Sequence, residues 1–145
     1  MLQSILIYHL PFFIYHWRVM NPASEALYQR LLRFATDCLS LVRSLPRNDF
    51  NQVYGRQLIR SASSPGANYI EAIEAESTKD FKHKLRICKK EIKESNHWAN
   101  LIKHANEDSQ IRIKANNILK ETDELVRIFS ASIRTIESKN PRNGK

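Results

Sequence analysis

Glycine, proline and cysteine are scarce in this chain of 145 residues, which contains three glycines, five prolines and two cysteines. An all-β chain needs more turn residues than this, so the composition favours helices. Cys38 and Cys88 are far apart, form no CxxC motif and have no histidine at metal-ligand spacing. We therefore expect two small core residues in a reducing, cytoplasmic compartment, and neither a disulfide nor a nucleophile.

The sequence also lacks a run that is both long and purely apolar. Residues 2–17 are strongly apolar, but they contain Pro11 and two histidines and fall short of the roughly twenty residues that span a bilayer. No lysine or arginine precedes them and no small-x-small site follows, so a signal peptide is not indicated either. We expect no membrane partner. Our hypothesis is that residues 1–19 are an apolar N-terminal extension and that Met20 is the true initiator.

Apolar residues recur at alternating spacings of four and three over most of the remaining chain, as in Leu27, Leu31 and Phe34. This pattern predicts an all-α protein, an antiparallel up-and-down four-helix bundle in one domain at 20–139, with a frayed basic tail at 140–145. The predicted helices are 24–45, 50–75, 77 or 78 to 105, and 109–138. The expected N-caps are Ser24 for the first helix, Asn48 or Asp49 for the second, and Ser77 or Thr78 for the third.

The second helix is interrupted by Pro65-Gly66, where we expect a kink without a chain reversal because the apolar pattern resumes at once. Its residues available for burial are Phe50, Val53, Leu58, Ile59, Ala62, Tyr69, Ile70 and Ile73. Additional apolar lines occur on the first helix (Leu32, Leu39) and on the fourth (Leu119, Val126, Ile133). Either the buried faces are wide or these lines meet another subunit, and we favour a homo-oligomer.

Positive charge is the main functional signal, because 23 lysines and arginines against 15 acidic residues give a net charge of +8. Four of these residues on the third helix recur at spacings of four, three and four, and we call Lys82, Arg86, Lys89 and Lys93 the basic ridge. Such a ridge can follow phosphates without reading sequence. A solvated helix face is the alternative. The candidate nucleic-acid-binding residues are Lys79, Lys82, Arg86, Lys89, Lys90 and Lys93.

Polar residues on the second and third helices form the other candidate cluster. We interpret them as a structural network of interhelical hydrogen bonds near Pro65. Its members are Arg60, Ser64, Asn68, Glu71, Glu91 and Glu94. Glu94 and His97 spell the ExxH of di-iron bundles, but the second ExxH that such a site needs is missing. We therefore expect no metal, no other cofactor and no catalytic residue, with a metal-dependent enzyme using Glu71, Glu91, Glu94 and His97 as a remote alternative. Trp98 is expected in a core or a subunit interface.

One stretch carries a recognisable pattern, R-S-x-x-S-x-x-A-N-Y-x-E-A from Arg60 to Ala72. It is followed by Asp80-Phe81 and by K-E-x-x-E-x-x-x-W from Lys90 to Trp98. With these motifs the chain resembles, over residues 24–138, the four helix bundle protein family, also called the 23S rRNA-intervening sequence protein family. The resemblance implies an up-and-down bundle in a ring-shaped homo-oligomer, a pentamer, without known catalytic activity. Some members are encoded within segments inserted into ribosomal RNA genes, and a related accessory protein uses a basic surface on nucleic acid.

These observations together predict a non-enzymatic, oligomeric bundle that binds structured RNA or other nucleic acid, RNA or DNA, through the basic ridge. The alternative is a protein–protein scaffold whose charge only keeps it in solution.

Overall fold

The structure, a computed structural model, describes residues 20–139, which form four α-helices: α1 (Pro22–Arg43), α2 (Asp49–Ile73), α3 (Thr78–Ala105) and α4 (Ser109–Lys139). No strand occurs within this range. The all-α prediction is confirmed. Residues 1–19 and 140–145 lie outside the described range. The apolar N-terminal extension, the true start at Met20 and the frayed tail therefore stay predictions.

Contacts between the helices establish an up-and-down bundle. Each helix packs on the next one along the chain, and α4 closes the ring by packing on α1. Neighbouring helices run antiparallel: α2 and α3 are joined by Asn51 with Asn106 at one end and by Glu71 with Lys84 near the other. Between α1 and α4, Arg30 donates two hydrogen bonds to Glu121, from Nε to Oε1 at 2.6 Å and from Nη2 to Oε2 at 2.9 Å.

Short capping segments decide where the helices begin. α1 begins two residues before the predicted Ser24, because the Asn21 side chain accepts a hydrogen bond from the Ser24 amide at 2.9 Å and Pro22 suits the first helical position. The Ser24 cap was therefore wrong. Asn48 caps α2 and Ser77 caps α3, which resolves both alternatives. Asp108 accepts from the amides of Gln110 and Ile111 at the start of α4.

The core is built from the predicted stripes of α1, α3 and α4, with Phe34, Leu85 and Phe129 among its fully enclosed side chains. Tyr69 of α2 meets Phe129 edge to face, with ring centroids 6.1 Å apart. The second apolar line of α4 is inside the same core, since Ile133 is buried and its two companions are half-buried against it. A wide buried face explains that line. On α1, by contrast, Leu32 remains 40% exposed.

The buried face of α2 differs most from the prediction. Phe50, Val53 and Ile70 are between 41% and 47% exposed, so their assignment to the core was wrong. Small or polar residues occupy the buried positions, because α2 approaches its neighbours closely. They are Asn51, Gly55, Ser61, Ala62, Pro65 and Ala72, together with Leu58 and Tyr69. The helix continues through Pro65, which confirms that the chain does not reverse there; the kink stays a prediction.

Candidate nucleic-acid interface

The basic ridge lies at the border between α3 and α4. Lys82 and Lys89 are half-buried, whereas Arg86 and Lys93 are exposed. The ridge lies roughly 100° around the helix axis from the core stripe of α3 (Leu85, Cys88 and Ile92 among its members), so it flanks the buried face on the side toward α4. Its cationic ends are therefore accessible from the outer groove between these two helices.

This groove, which we call the α3–α4 groove, has a volume of about 590 Å³. Cations dominate its lining: four come from α3 and one, Arg134, from α4. The lining contains one carboxylate, that of Glu137. The complete set is Arg86, Lys89, Lys90, Lys93, Ser130, Ile133, Arg134 and Glu137. An open, cation-lined groove of this kind attracts polyanions through the field of several like charges acting together.

The cations divide into a paired and an unpaired group. Arg86 donates to Glu137 Oε1 at 2.6 Å, and Lys82 Nζ lies 3.7 Å from the same oxygen. Within residues 20–139, no carboxylate lies within ion-pair distance of the cations that make up the rest of the lining. These unpaired cations are Lys89, Lys90, Lys93 and Arg134. The unpaired group therefore has no direct ion-pair partner, although the charge of Lys90 helps to lower the pKa of Glu94, four residues further along α3.

The structure thus brings four of the six predicted nucleic-acid-binding residues into one groove, and leaves the other two outside its lining. Lys82 reaches Glu137, whereas Lys79 is exposed in the first turn of α3 and does not line the groove. Arg134 and Glu137 were missed by the sequence reasoning, which considered α3 alone. Arg86 and Ile128 are each 21 residues from Glu107 in the loop between α3 and α4. If the two helices paired symmetrically about this loop, Arg86 would lie beside Ile128. The observed partner, Glu137, lies more than two turns further along.

The residues assigned to the polar network form three separate groups. Ser64 and Asn68 bond within α2, where Asn68 Nδ2 donates to the Ser64 hydroxyl at 3.0 Å. Glu71 pairs with Lys84 across α2 and α3. These two groups show that the shared face of α2 does not make one continuous network.

The third group surrounds Arg60. Its guanidinium donates to Glu94 and to Gln57, and lies 3.6 Å from Glu91. Trp98 Nε1 donates to Glu94 at 3.2 Å. This hydrogen bond from the indole, followed by the bond and charge of Arg60, holds the pKa of Glu94 below its usual value, although burial opposes the shift. Glu91 Oε2, the oxygen that lies 3.6 Å from Arg60 Nη1, is buried and accepts no hydrogen bond.

Neither the glutamates nor the cysteines offer a reactive centre. The glutamates of the ExxH alternative are engaged by Arg60 or Lys84, and His97 packs edge to face on Trp98 at 5.0 Å. No group of three or more His, Cys, Asp or Glu side chains in residues 20–139 is arranged to hold a metal ion. Burial raises the pKa of both Cys38 and Cys88 to about 12, so these thiols are protonated and weakly nucleophilic.

Within the described range no helix is both long and apolar enough to cross a membrane.

An exposed apolar strip crosses the outer side of α2 and α3. Phe50 and Tyr54 have ring centroids 6.3 Å apart, and Tyr54 and Trp98 are 6.1 Å apart. With Val53, which is 47% exposed, we call these residues the aromatic strip. Trp98 is half-buried and packs against the core at its inner edge. Large aromatic side chains at this level of exposure are typical anchors of protein interfaces.

Comparisons with known proteins agree with this architecture. A solved structure of a protein with unknown function from the S23 ribosomal protein family of Bacteroides thetaiotaomicron is 28% identical, with a TM-score of 0.66. The alignment covers 77% of this chain and 97% of that one. No curated protein matches the chain. Residues 24–131 match the 23S rRNA-intervening sequence protein family. This match spans most of the chain and reaches into all four helices, so the chain belongs to the 23S rRNA-intervening sequence protein family.

Proposed function

We propose that this protein is a non-enzymatic, cytoplasmic nucleic-acid-binding bundle that holds the phosphodiester backbone of structured RNA, or of other nucleic acid, in the α3–α4 groove. The observation that carries the proposal is the cluster of four unpaired cations, Lys89, Lys90, Lys93 and Arg134, around one accessible groove. Unpaired cations release bound counterions when they meet phosphates, which supplies most of the affinity of sequence-independent binding.

The dimensions of the groove are consistent with a backbone ligand. Lys82 and Lys93 are 11 residues apart on α3, so the ridge extends about 16 Å along the helix axis. Aromatic rings are absent from the lining residues, which argues against base stacking as the source of affinity. The ridge is thus long enough for several phosphates. We expect affinity for nucleic acid with weak dependence on sequence.

The family supports the same proposal independently, because its name connects its members with intervening sequences of 23S rRNA. Two buried free cysteines are also compatible with a reducing compartment in which RNA is present.

A titration that compares two matched variants tests this function. The groove variant replaces Lys89, Lys90, Lys93 and Arg134 by Gln. The control variant replaces Arg33, Arg43, Arg47 and Arg56, four exposed cations on α1, α2 and the loop between them, by Gln. Both remove four positive charges, so they separate the groove from net charge. Fluorescence anisotropy would follow binding of the full chain to labelled structured RNA, duplex DNA and single strands.

We expect the groove variant to lose at least about 100-fold in affinity at physiological salt, because each phosphate contact contributes roughly fivefold there. The control variant should lose much less. Equal losses in the two variants would show that net charge alone drives binding and would contradict the groove assignment. Absence of binding by the wild-type chain at low salt would refute the proposed function itself.

The second candidate is an assembly module, and the exposed aromatic strip favours it. Phe50 and Val53 are 42% and 47% exposed, and Phe50 continues through the half-buried Tyr54 to Trp98, which gives the bundle an apolar surface that a second subunit could cover. We propose that a second copy of the chain covers this strip in a homo-oligomer, which the family resemblance expects to be a ring-shaped pentamer.

Sedimentation of the wild-type chain and of a Phe50→Ser/Val53→Ser variant tests this assembly. The variant should be shifted to the monomer, while the exposed Ile113→Ser change on α4 should leave the assembly intact. An oligomer that survives both changes would exclude the strip as its interface. Binding of nucleic acid that persists at high salt, or no binding, would favour assembly as the main function.

A further inference from the structure

Within the part of the chain that the structure describes, Glu137 is the one carboxylate that lines the α3–α4 groove, and it interacts with Arg86 and Lys82. Its Oε1 accepts from Arg86 Nη2 at 2.6 Å and lies 3.7 Å from Lys82 Nζ. It therefore engages two cations with a single oxygen. The other cations of the groove have no such partner within the described residues.

A carboxylate in this position resembles a bound phosphate in charge and in hydrogen-bond acceptance. A phosphate that approaches Arg86 meets the negative charge of Glu137 beside it, and it can take the Nη2 donor only by displacing this carboxylate. Displacement is physically accessible, since the Glu137 side chain is 41% exposed and that of Arg86 is 51% exposed. An ion pair at this exposure is weak, so a polyanion can compete with it.

We propose that Glu137 is a built-in competitor that limits how many phosphates the α3–α4 groove contacts. In the free protein it occupies Arg86 and Lys82, so a nucleic-acid backbone first meets the unpaired cations. Removing the carboxylate adds one or two cations to the contact surface. This inference rests on the proposed function, because it concerns the same groove and the same phosphodiester ligand.

The proposal makes a directional prediction that a purely structural role does not. Glu137→Gln keeps the size of the side chain but releases Arg86 and Lys82 from the charge. Affinity for duplex RNA at physiological salt should rise about fivefold for one additional phosphate contact, and about 30-fold for two. The slope of log affinity against log salt should steepen by about 0.9 for each. If Glu137 only fastened α4 to α3, the variant would lose thermal stability without gaining affinity.

The matched control is Glu124→Gln, which removes the same charge from α4. Glu124 pairs with Arg127 on its own helix and does not line the groove. Adding Arg86→Gln to Glu137→Gln should abolish most of the gain, because Arg86 is the principal cation released. Fluorescence anisotropy with a labelled RNA duplex and a labelled DNA duplex, each across a salt series, measures all of these variants.

A gain in affinity and slope for Glu137→Gln that Glu124→Gln does not share, alongside clear wild-type binding, supports the proposal. Equal affinities for Glu137→Gln and Glu124→Gln, alongside clear wild-type binding, overturn the competitor role and leave the proposed function intact. If neither the wild-type chain nor Glu137→Gln binds either duplex at low salt, the proposed function fails and the competitor role fails with it.

Discussion

A buried amide pair at one end of the bundle provides the sharpest test of how the fold is held together. Asn51 Nδ2 donates to Asn106 Oδ1 at 3.0 Å, and Asn106 Nδ2 donates to Asn51 Oδ1 at 2.9 Å. The same amides reach the carbonyls of Pro46 and Ile102, at 3.1 and 2.8 Å. Both side chains are nearly inaccessible, at 3% and 6% exposure. The pair therefore joins the α1–α2 loop, α2 and the end of α3.

The cost of breaking this pair follows from what each change leaves behind. Asn106→Ala leaves Asn51 Oδ1 without its donor in a buried site, which costs about 1–3 kcal/mol, and loses hydrogen bonds worth about 1 kcal/mol each. We expect each single alanine change to destabilise the protein by about 2–4 kcal/mol. The double change Asn51→Ala/Asn106→Ala should cost less than the sum by about 1–3 kcal/mol, because it removes the orphaned partner as well.

Urea unfolding of the four proteins in this cycle, followed by circular dichroism and by tryptophan fluorescence, gives the coupling free energy. Asn117→Ala, an exposed asparagine on α4, is the control and should change stability by no more than about 0.5 kcal/mol. Strictly additive costs for the two buried asparagines would refute the reasoning, since they would mean that neither amide depends on the other.

Two further predictions concern close packing and the thiols. A Cβ added at Gly55 would lie 2.9 Å from Val42 Cγ1, so Gly55→Ala should destabilise the wild-type chain by about 1 kcal/mol, as overpacking exceeds the gain in helix propensity. In a Val42→Ala background, urea unfolding should show that Gly55→Ala is neutral or stabilising. Stabilisation by Gly55→Ala in the wild-type background would contradict the close approach of Gly55 to Val42. Cys38 and Cys88 should resist alkylation until the chain unfolds. Because their pKa is raised from about 9 to about 12 on folding, the unfolded chain loses these protons first, and the free energy of unfolding should decline steadily as the pH rises between those values. A Cys38→Ala/Cys88→Ala chain with an equally steep decline would contradict this cause.

Much of the fold was predictable because the apolar period of a helix is a local property. The spacing of Leu31, Phe34 and Cys38 is enough to place one buried stripe on α1, and short loops force antiparallel neighbours. The buried face of α2 was not predicted correctly because it consists largely of small residues such as Ala62 and Ala72. Their burial depends on the close approach of neighbouring helices and not on a hydrophobic pattern. The larger Phe50 was consequently assigned to the core.

The candidate site was less predictable, because it depends on the register between helices. The ridge on α3 follows from sequence spacing alone. Its pairing with Glu137, and the position of Arg134 in the groove lining, depend on the register of α4 along α3. The reciprocal contact of Asn51 with Asn106 is equally invisible in sequence, since the two residues are 55 positions apart. Single-helix patterns therefore located the positive charge, whereas tertiary packing decided which charges remain unpaired.

The salt dependence of RNA binding tests the central claim most directly. Four unpaired cations in the α3–α4 groove predict a slope of log affinity against log salt of about −3 to −4 for the wild-type chain, at roughly −0.9 or somewhat less per phosphate contact. When Gln replaces Lys89, Lys90, Lys93 and Arg134, the slope should flatten to a value between about −1 and 0. A groove variant that keeps the wild-type slope, while loss of the four arginines Arg33, Arg43, Arg47 and Arg56 flattens it, would contradict the account and place the contact surface on α1 and α2.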